Sequence, residues 1–241
     1  MGSTVAAMTV MFRRLLLTPL IVLVASVAVT GWFAHRAAAD RGLDSRDVVA
    51  IGRVLVHHAA EVDVVSVQRG LPPSYFKALI ILESRGRRSA GARFEPQVFE
   101  RLKQVRDGPR RQMEAITHST VGNASDNALR NLATSWGPLQ VMGYHCVEVG
   151  ILVRDLREAE SLRWSIVWID QTYGGYLRRG EYRDAFHLHN TGRPFPKNGV
   201  PRTHDPTYVD RGLRYIDAFE WIDRLSERTR ARFAAYRGAH K

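Results

Sequence analysis

The chain has 241 residues, of which 45% are hydrophobic, and this composition excludes a mainly disordered protein. Its formal net charge of +11 at pH 7 favours an anionic partner, such as nucleic acid, membrane headgroups or an acidic polymer. Nucleic acid is disfavoured, because the sequence contains no zinc finger, RNA-binding signature or dense basic run. The single cysteine, Cys146, excludes an intramolecular disulfide, and the adjacent His145 would not face it on a helix.

The N-terminal segment carries an uncharged apolar run from Leu15 to Phe33, directly after Arg13 and Arg14. This run is about as long as a helix needs to cross a bilayer, and the two arginines would stay in the cytoplasm. Residues 37–39 are three alanines, which fit a signal-peptidase site. We therefore expect either an uncleaved anchor or a cleaved signal peptide, with the anchor favoured by the length of the run.

The rest of the sequence has apolar residues at helical spacing and no alternating strand pattern of any length. Two short helices are also expected within the arginine-rich stretch 86–134, and a loop is expected from His189 to Pro206. The principal predicted helices are 47–68, 74–84, 161–178, 181–188 and 208–225. This pattern predicts an all-α domain.

The predicted organisation has four parts. Residues 1–39 form the signal anchor or signal peptide, and residues 40–46 form a linker. Residues 47–225 form the helical domain, and residues 226–241 form a charged C-terminal tail. Because the domain follows the membrane-directed segment, we expect it in the periplasm, either anchored to the inner membrane or exported.

Glu83 follows five apolar residues, Ala78 to Leu82, and precedes Ser84, Arg85 and Gly86. Gly86 favours a left-handed helix end, so Glu83 is predicted in the last turn of a buried helix. Partial burial disfavours a charged carboxylate and raises its pKa, as a general acid working near neutral pH requires. An ordinary solvated helix end is the alternative.

Three separated segments resemble the motifs of the soluble lytic transglycosylases and goose-type lysozymes, which have a lysozyme-like fold. Leu82-Glu83-Ser84 resembles the Glu-Ser end of the family's catalytic helix. The segment from Ser135 to Met142 resembles Gly-Leu-Met-Gln-x-Met, with Gln140 at the glutamine. His189-Asn190-Thr191-Gly192 followed by Tyr208-Val209 resembles Tyr-Asn-Ala-Gly and a downstream Tyr-Val. Phe94-Glu95 resembles a segment of phage-associated N-acetylmuramidases.

The resemblance implies a peptidoglycan-cleaving muramidase without a metal or other cofactor, with Glu83 as the catalytic acid. Substrate-binding roles are implied for Ser135, Gln140, Met142, Asn190 and Tyr208. The lytic transglycosylase reaction needs one acid, because the C6 hydroxyl of muramic acid attacks and leaves a 1,6-anhydro end. A hydrolase needs a second carboxylate, for which Glu95 is the candidate. An ion pair with an arginine is the alternative role of Glu95.

The expected partners are peptidoglycan strands and, through residues 1–39, the inner membrane. Local opening of the wall would serve a secretion system, a pilus or an assembly through which phage DNA enters. Two alternatives to a lytic transglycosylase remain. One is a hydrolytic N-acetylmuramidase of the lysozyme or endolysin type, and the other is a membrane-anchored wall-binding scaffold without turnover.

Overall fold

Helices make up most of the part of the chain that the computed structural model describes, which is residue 40 and residues 42–238. The predicted N-terminal segment, residues 1–39, lies outside these residues. The helices are α1 (Ser45–His57), α2 (Ala59–Gln68), α3 (Pro73–Ser84), α4 (Pro96–Asp107), α5 (His118–Val121), α6 (Asp126–Leu132), α7 (Cys146–Val149), α8 (Ser161–Arg178), α9 (Tyr182–Thr191) and α10 (Tyr208–Gly238). A 3₁₀ turn, Gly143–His145, precedes α7.

Short strands form two small sheets, which the sequence pattern does not predict. The strands are β1 (Arg93–Phe94), β2 (Gln112–Met113), β3 (Ile116–Thr117), β4 (Thr134–Trp136) and β5 (Val141–Met142). β4 is the middle strand of an antiparallel sheet, in which Phe94 pairs with Thr134 and Trp136 pairs with Val141. β2 and β3 form a separate hairpin. Strands of two or three residues are too short to show a period of two.

The helix predictions are confirmed in part. α8 has the predicted bounds, and its predicted apolar face is buried. The helix predicted over 47–68 is interrupted at His58, which separates α1 from α2. α9 ends at Thr191, so His189 and Asn190 lie on its last turn and not in the predicted loop. α10 continues to Gly238, which shows that residues 226–238 of the predicted tail are helical.

α3 lies at the centre of the core. Ala78, Leu79 and Ile80 are fully buried and Ile81 is 1% exposed, and α10 packs along this helix. Burial on all sides explains why the helix has no polar face. Lys77 is also buried, and its ammonium contacts the carboxylates of Asp63 at 2.8 Å and Asp223 at 3.6 Å. These ion pairs connect α3 to α2 and α10.

A second hydrophobic cluster lies beneath the β2–β3 hairpin. It is formed by α4, the hairpin, α5 and α6, and its buried members are Leu102, Val105, Met113, Ile116, Val121, Leu129 and Ala133. This cluster accounts for the long stretch between Glu83 and Gln140, since that stretch has a core of its own.

Val49 and the residues after it form one compact unit, and the described residues before Val49 belong to another. In that earlier part, Asp44 accepts a hydrogen bond from the Asp47 N–H at 2.9 Å, and Asp47 accepts one from the Asp44 N–H at 3.1 Å. This reciprocal pair caps the start of α1. Across the described residues, we find no helix that is both long enough and apolar enough to span a bilayer.

Candidate active site

Glu83 is the penultimate residue of α3, and the chain turns sharply after it. Arg85 and Gly86 both adopt left-handed conformations, with φ of 54° and 68°. Their N–H groups donate to the carbonyls of Ile81 and Ile80, at 3.0 and 3.4 Å. A Cβ on Gly86 would lie 2.7 Å from the Ala50 carbonyl oxygen, so only glycine fits between α3 and α1. The close approach of these helices thus fixes the position of the Glu83 turn.

The Glu83 side chain is 17% exposed. Burial raises the pKa of this carboxyl to about 7, and this effect outweighs the hydrogen bond from Tyr208 and the nearby Arg93 cation, which both lower it. Among the described residues, no other carboxylate contributes to this shift. Glu83 is therefore protonated in a large fraction of molecules at neutral pH.

Both groups that approach Glu83 Oε1 are electrically neutral. The Tyr208 hydroxyl donates a short hydrogen bond to this oxygen, and His189 Nε2 lies 3.9 Å from it. Within the described part of the chain, Oε2 makes no hydrogen bond. Glu83 thus has one oxygen held by the protein and one available to carry a transferable proton.

His189 is held as a neutral imidazole. Its side chain is 5% exposed, and burial lowers its pKa to about 4. The Leu139 carbonyl can only accept, so Nε2–H donates to it at 3.1 Å, and Nδ1 must accept from the Tyr173 hydroxyl at 2.7 Å. With both ring nitrogens occupied, His189 offers Glu83 no positive charge that would lower its pKa.

A cleft of about 560 Å³ borders this site, and Tyr173 and His189 line it. Two of the predicted binding residues, Met142 and Asn190, also line the cleft. Asn190 is exposed on the last turn of α9, and Met142 is partly buried at the end of β5. Tyr208 is 7% exposed and contacts Glu83 directly. The structure therefore places Asn190 and Met142 in the cleft lining and brings Glu83 and Tyr208 together behind it, where His189 lies between Glu83 and the cleft.

Ser135 and Gln140 hold the turn between β4 and β5. Gln140 Nε2 donates to the carbonyls of Gly91 and Gly137 at 2.8 and 2.9 Å, and Gln140 Oε1 accepts from the Ser135 hydroxyl at 2.9 Å. Gln140 also has a φ of 50°. Its amide hydrogens are fully used within the protein, so this geometry supports a structural role. A substrate-binding role for both residues stays a prediction.

Glu95 forms an ion pair with an arginine, which is the alternative role expected from the sequence. Its carboxylate lies 2.9 Å from Arg93 Nε, and its backbone occupies the N-cap of α4. Arg93 in turn acts electrostatically on Glu83. A role for Glu95 as a second catalytic carboxylate stays a prediction.

Two carboxylates that were not predicted from the sequence line the cleft, Glu114 and Glu148, and Glu148 is held by hydrogen bonds. Trp168 Nε1–H donates to its Oε2 at 2.8 Å, and His145 Nδ1 contacts Oε1 at 3.0 Å. Burial alone would raise the pKa of Glu148, but the contacts with His145 and Trp168 prevail and lower it. Glu148 is therefore ionised. The i, i+3 spacing of His145 and Glu148 was the available signal in the sequence.

Cys146 is buried beside this group, and burial raises the pKa of its thiol to about 11. The thiol is therefore protonated at neutral pH. A protonated thiol is a poor nucleophile.

No family model matches the chain, and no curated protein is significantly similar to it. Among solved structures, the chain is similar to one described as the crystal structure of Burkholderia AP3 phage endolysin. The two are 16% identical, with a TM-score of 0.49 over 79% of this chain and 94% of the other.

Proposed function

We propose that the protein is a peptidoglycan-cleaving muramidase that cuts the β-1,4 bond between N-acetylmuramic acid and N-acetylglucosamine. The observation that carries this proposal is Glu83, a half-buried carboxyl with a pKa of about 7 that lies 3.9 Å from His189, a residue of the cleft lining. A glycosidic bond breaks when an acid protonates the leaving oxygen, and Glu83 has the protonation state that this step needs.

The reaction type that we propose is lytic transglycosylation. Glu83 gives its proton to the bridging oxygen as the bond from that oxygen to C1 of muramic acid breaks. The C6 hydroxyl of the same sugar then bonds to C1 and returns its proton to the Glu83 carboxylate. No carboxylate among the described residues shifts the pKa of Glu83, and this supports one group that serves in turn as acid and base.

A hydrolytic muramidase is the second candidate, and Glu148 is the specific observation in its favour. The cleft holds this carboxylate in the ionised form, as a base or nucleophile requires. A hydrolase would add water at C1 and leave a reducing end in place of the 1,6-anhydro ring.

Mass spectrometry of sacculi digested with the protein separates these candidates. We expect fragments that end in 1,6-anhydro-muramic acid, produced by the wild type and by both Glu95→Gln and Glu148→Gln. Reducing ends, together with loss of cleavage in Glu148→Gln or Glu95→Gln, would establish the hydrolase. Binding to sacculi without any released fragment would favour the wall-binding scaffold.

We also propose that the domain faces the periplasm and that residues 1–39 connect it to the inner membrane. The apolar run that begins after Arg14 and ends at Phe33 supports this location. A periplasm-dependent reporter fused to the C-terminus should be active, and a reporter that works only in the cytoplasm would contradict the proposal. Through this location the enzyme would serve a secretion system, a pilus or phage DNA delivery.

A further inference from the structure

A second cavity, of about 380 Å³, shares the end of α9 with the cleft. His187 lines this cavity, whereas the next five residues, 188–192, line the cleft. The loop that joins α9 to α10 forms the other walls, through Arg193, Phe195, Lys197, Asn198 and Arg202. We call this cavity the loop pocket. The C-terminal end of α9 therefore contributes residues to both cavities, and no residue lines both of them.

The loop pocket has a strong positive charge. Arg193, Lys197 and Arg202 line it, no carboxylate does, and in the described part of the chain none of the three forms an ion pair. The nearby Asp184 carboxylate accepts the Phe195 N–H at 2.9 Å and is not part of the lining. Three cations that form no ion pair, together with the Asn198 amide, suit an anion with several oxygen atoms.

The loop is held in place by His187, which is fully buried. Its Nδ1–H donates to the Arg193 carbonyl at 2.7 Å, and its Nε2 accepts the Arg202 N–H at 3.0 Å. One imidazole thus ties together the two ends of the charged segment. Preorganisation of this kind reduces the entropy lost when a ligand binds.

We infer that the loop pocket binds the carboxylates of the peptide stems that muramic acid carries. This inference rests on the proposed function, because it takes the glycan strand to lie in the cleft. A stem leaves the glycan at muramic acid, and each extended residue adds about 3.3–3.6 Å of reach. Three or four residues therefore cross the ~10 Å width of the helix that separates the two cavities. The protein would then prefer strands whose stems are charged.

The test compares native strands with strands whose stem carboxylates have been converted to amides by carbodiimide coupling. We expect the full chain to have a higher kcat/KM on native strands. The measured quantity is kcat/KM on native strands divided by kcat/KM on amidated strands. In the double variant Arg193→Gln, Lys197→Gln, we expect this ratio to fall about threefold to thirtyfold. Both side chains are exposed, and the hydrogen bonds of residue 193 to His187 are made by its backbone.

The control is the double variant Arg224→Gln, Arg228→Gln, which removes the same charge from exposed positions on α10. It should keep the wild-type ratio. An equal fall in both double variants would overturn the inference, because it would show general attraction to an anionic wall. An unchanged ratio in the Arg193, Lys197 variant would also overturn it.

A binding measurement separates this inference from the proposed function. Calorimetry with free stem peptides should show binding to the wild type and weaker binding to the Arg193, Lys197 variant, whether or not the strands are cut. Absence of cleavage with stem binding intact would contradict the proposed function alone. Binding of inorganic phosphate without any binding of stem peptides would overturn the inference and assign the pocket to phosphate.

Discussion

At the scale of single residues, the protonation state of Glu83 depends on its neighbours, and Tyr208 is the one that can be changed most cleanly. The Tyr208 hydroxyl stabilises the ionised carboxylate and so lowers its pKa, against the effect of burial. Tyr208→Phe should therefore raise the pKa of Glu83 above about 7. Because the leaving oxygen needs the protonated form, we expect the alkaline limb of kcat/KM to move to higher pH.

The pH profile of kcat/KM, measured from pH 5 to 9, checks this prediction. Tyr176→Phe is a suitable control, since it removes a hydroxyl from a tyrosine that lies outside the cleft lining. A Tyr208→Phe limb that stays in place, or moves to lower pH, would show that Tyr208 does not stabilise the Glu83 carboxylate.

Gln140 and Asn190 were assigned the same role from the sequence, and the structure predicts that they behave differently. The Gln140 amide makes three hydrogen bonds within the protein, so Gln140→Ala should lower the free energy of unfolding by about 1–3 kcal/mol. Asn190 is exposed in the cleft, so Asn190→Ala should leave stability unchanged and reduce turnover about fivefold or more. Denaturant unfolding and a turnover assay of both variants distinguish these roles. Equal stability of the two variants would contradict the structural role of Gln140.

At the scale of secondary-structure elements, the α3–α1 contact places the Glu83 turn. Gly86→Ala should destabilise the protein in two ways, by forcing alanine to a φ of 68° and by pushing its Cβ against the Ala50 carbonyl oxygen. Gly70→Ala is a matched control, because Gly70 has a φ of 62° and open space around its Cβ position. We expect Gly70→Ala to cost about 1 kcal/mol and Gly86→Ala about 2–4 kcal/mol.

Denaturant unfolding of the two glycine variants measures this difference, and turnover per folded molecule should fall only in Gly86→Ala. If both variants lose the same stability and keep full activity, the close approach of α3 and α1 does not position the active site.

The sequence predicted the helices best where a long apolar stripe determines them, as in α8, and where a single glycine ends a buried helix, as after Glu83. It failed where tertiary contacts override local pattern. The break at His58 coincides with a side-chain contact from its Nε2 to the Arg87 carbonyl at 3.1 Å, which lies outside any local window. His189 looked like a loop residue because Gly192 and Pro194 follow it, yet α9 continues until Gly192 adopts a φ of 70°.

The position of Glu83 at the end of a buried helix was predictable from the sequence. The residues that surround it were much less predictable. The resemblance implied a substrate-binding role for Tyr208, whereas its hydroxyl donates a hydrogen bond to Glu83 in the structure. The cluster of His145, Glu148 and Trp168 depends on α8 packing beside α7, so the sequence spacing alone gave little indication of it. The hydrogen bonds of the Gln140 side-chain amide likewise depend on a distant residue, because one of them goes to the carbonyl of Gly91, 49 positions away.

At the scale of the whole molecule, the formal net charge of +11 should strengthen binding to an anionic wall. Raising NaCl from about 50 to 500 mM shortens the Debye length roughly threefold, so we expect KM on sacculi to rise about threefold to tenfold while kcat stays constant. Initial rates at each salt concentration check this prediction. A KM that does not respond to salt would show that the net charge serves another purpose, such as solubility.

If Glu83 donates the proton that breaks the glycosidic bond, Glu83→Gln should abolish cleavage and leave the fold intact. Glutamine keeps the shape and can still accept from Tyr208, but it cannot supply the proton. Burial raises the pKa of Glu83, so the folded protein binds more protons than the unfolded chain between about pH 4.5 and 7. Wild-type stability therefore falls as pH rises through that range, and glutamine removes this loss.

We predict that release of soluble fragments from sacculi by Glu83→Gln falls about a hundredfold to ten-thousandfold. Binding to sacculi should be retained. At pH 8 the variant should be as stable as the wild type or more stable, by on the order of 1–3 kcal/mol, and this difference should vanish near pH 4. Undiminished fragment release by a folded Glu83→Gln protein would contradict the account.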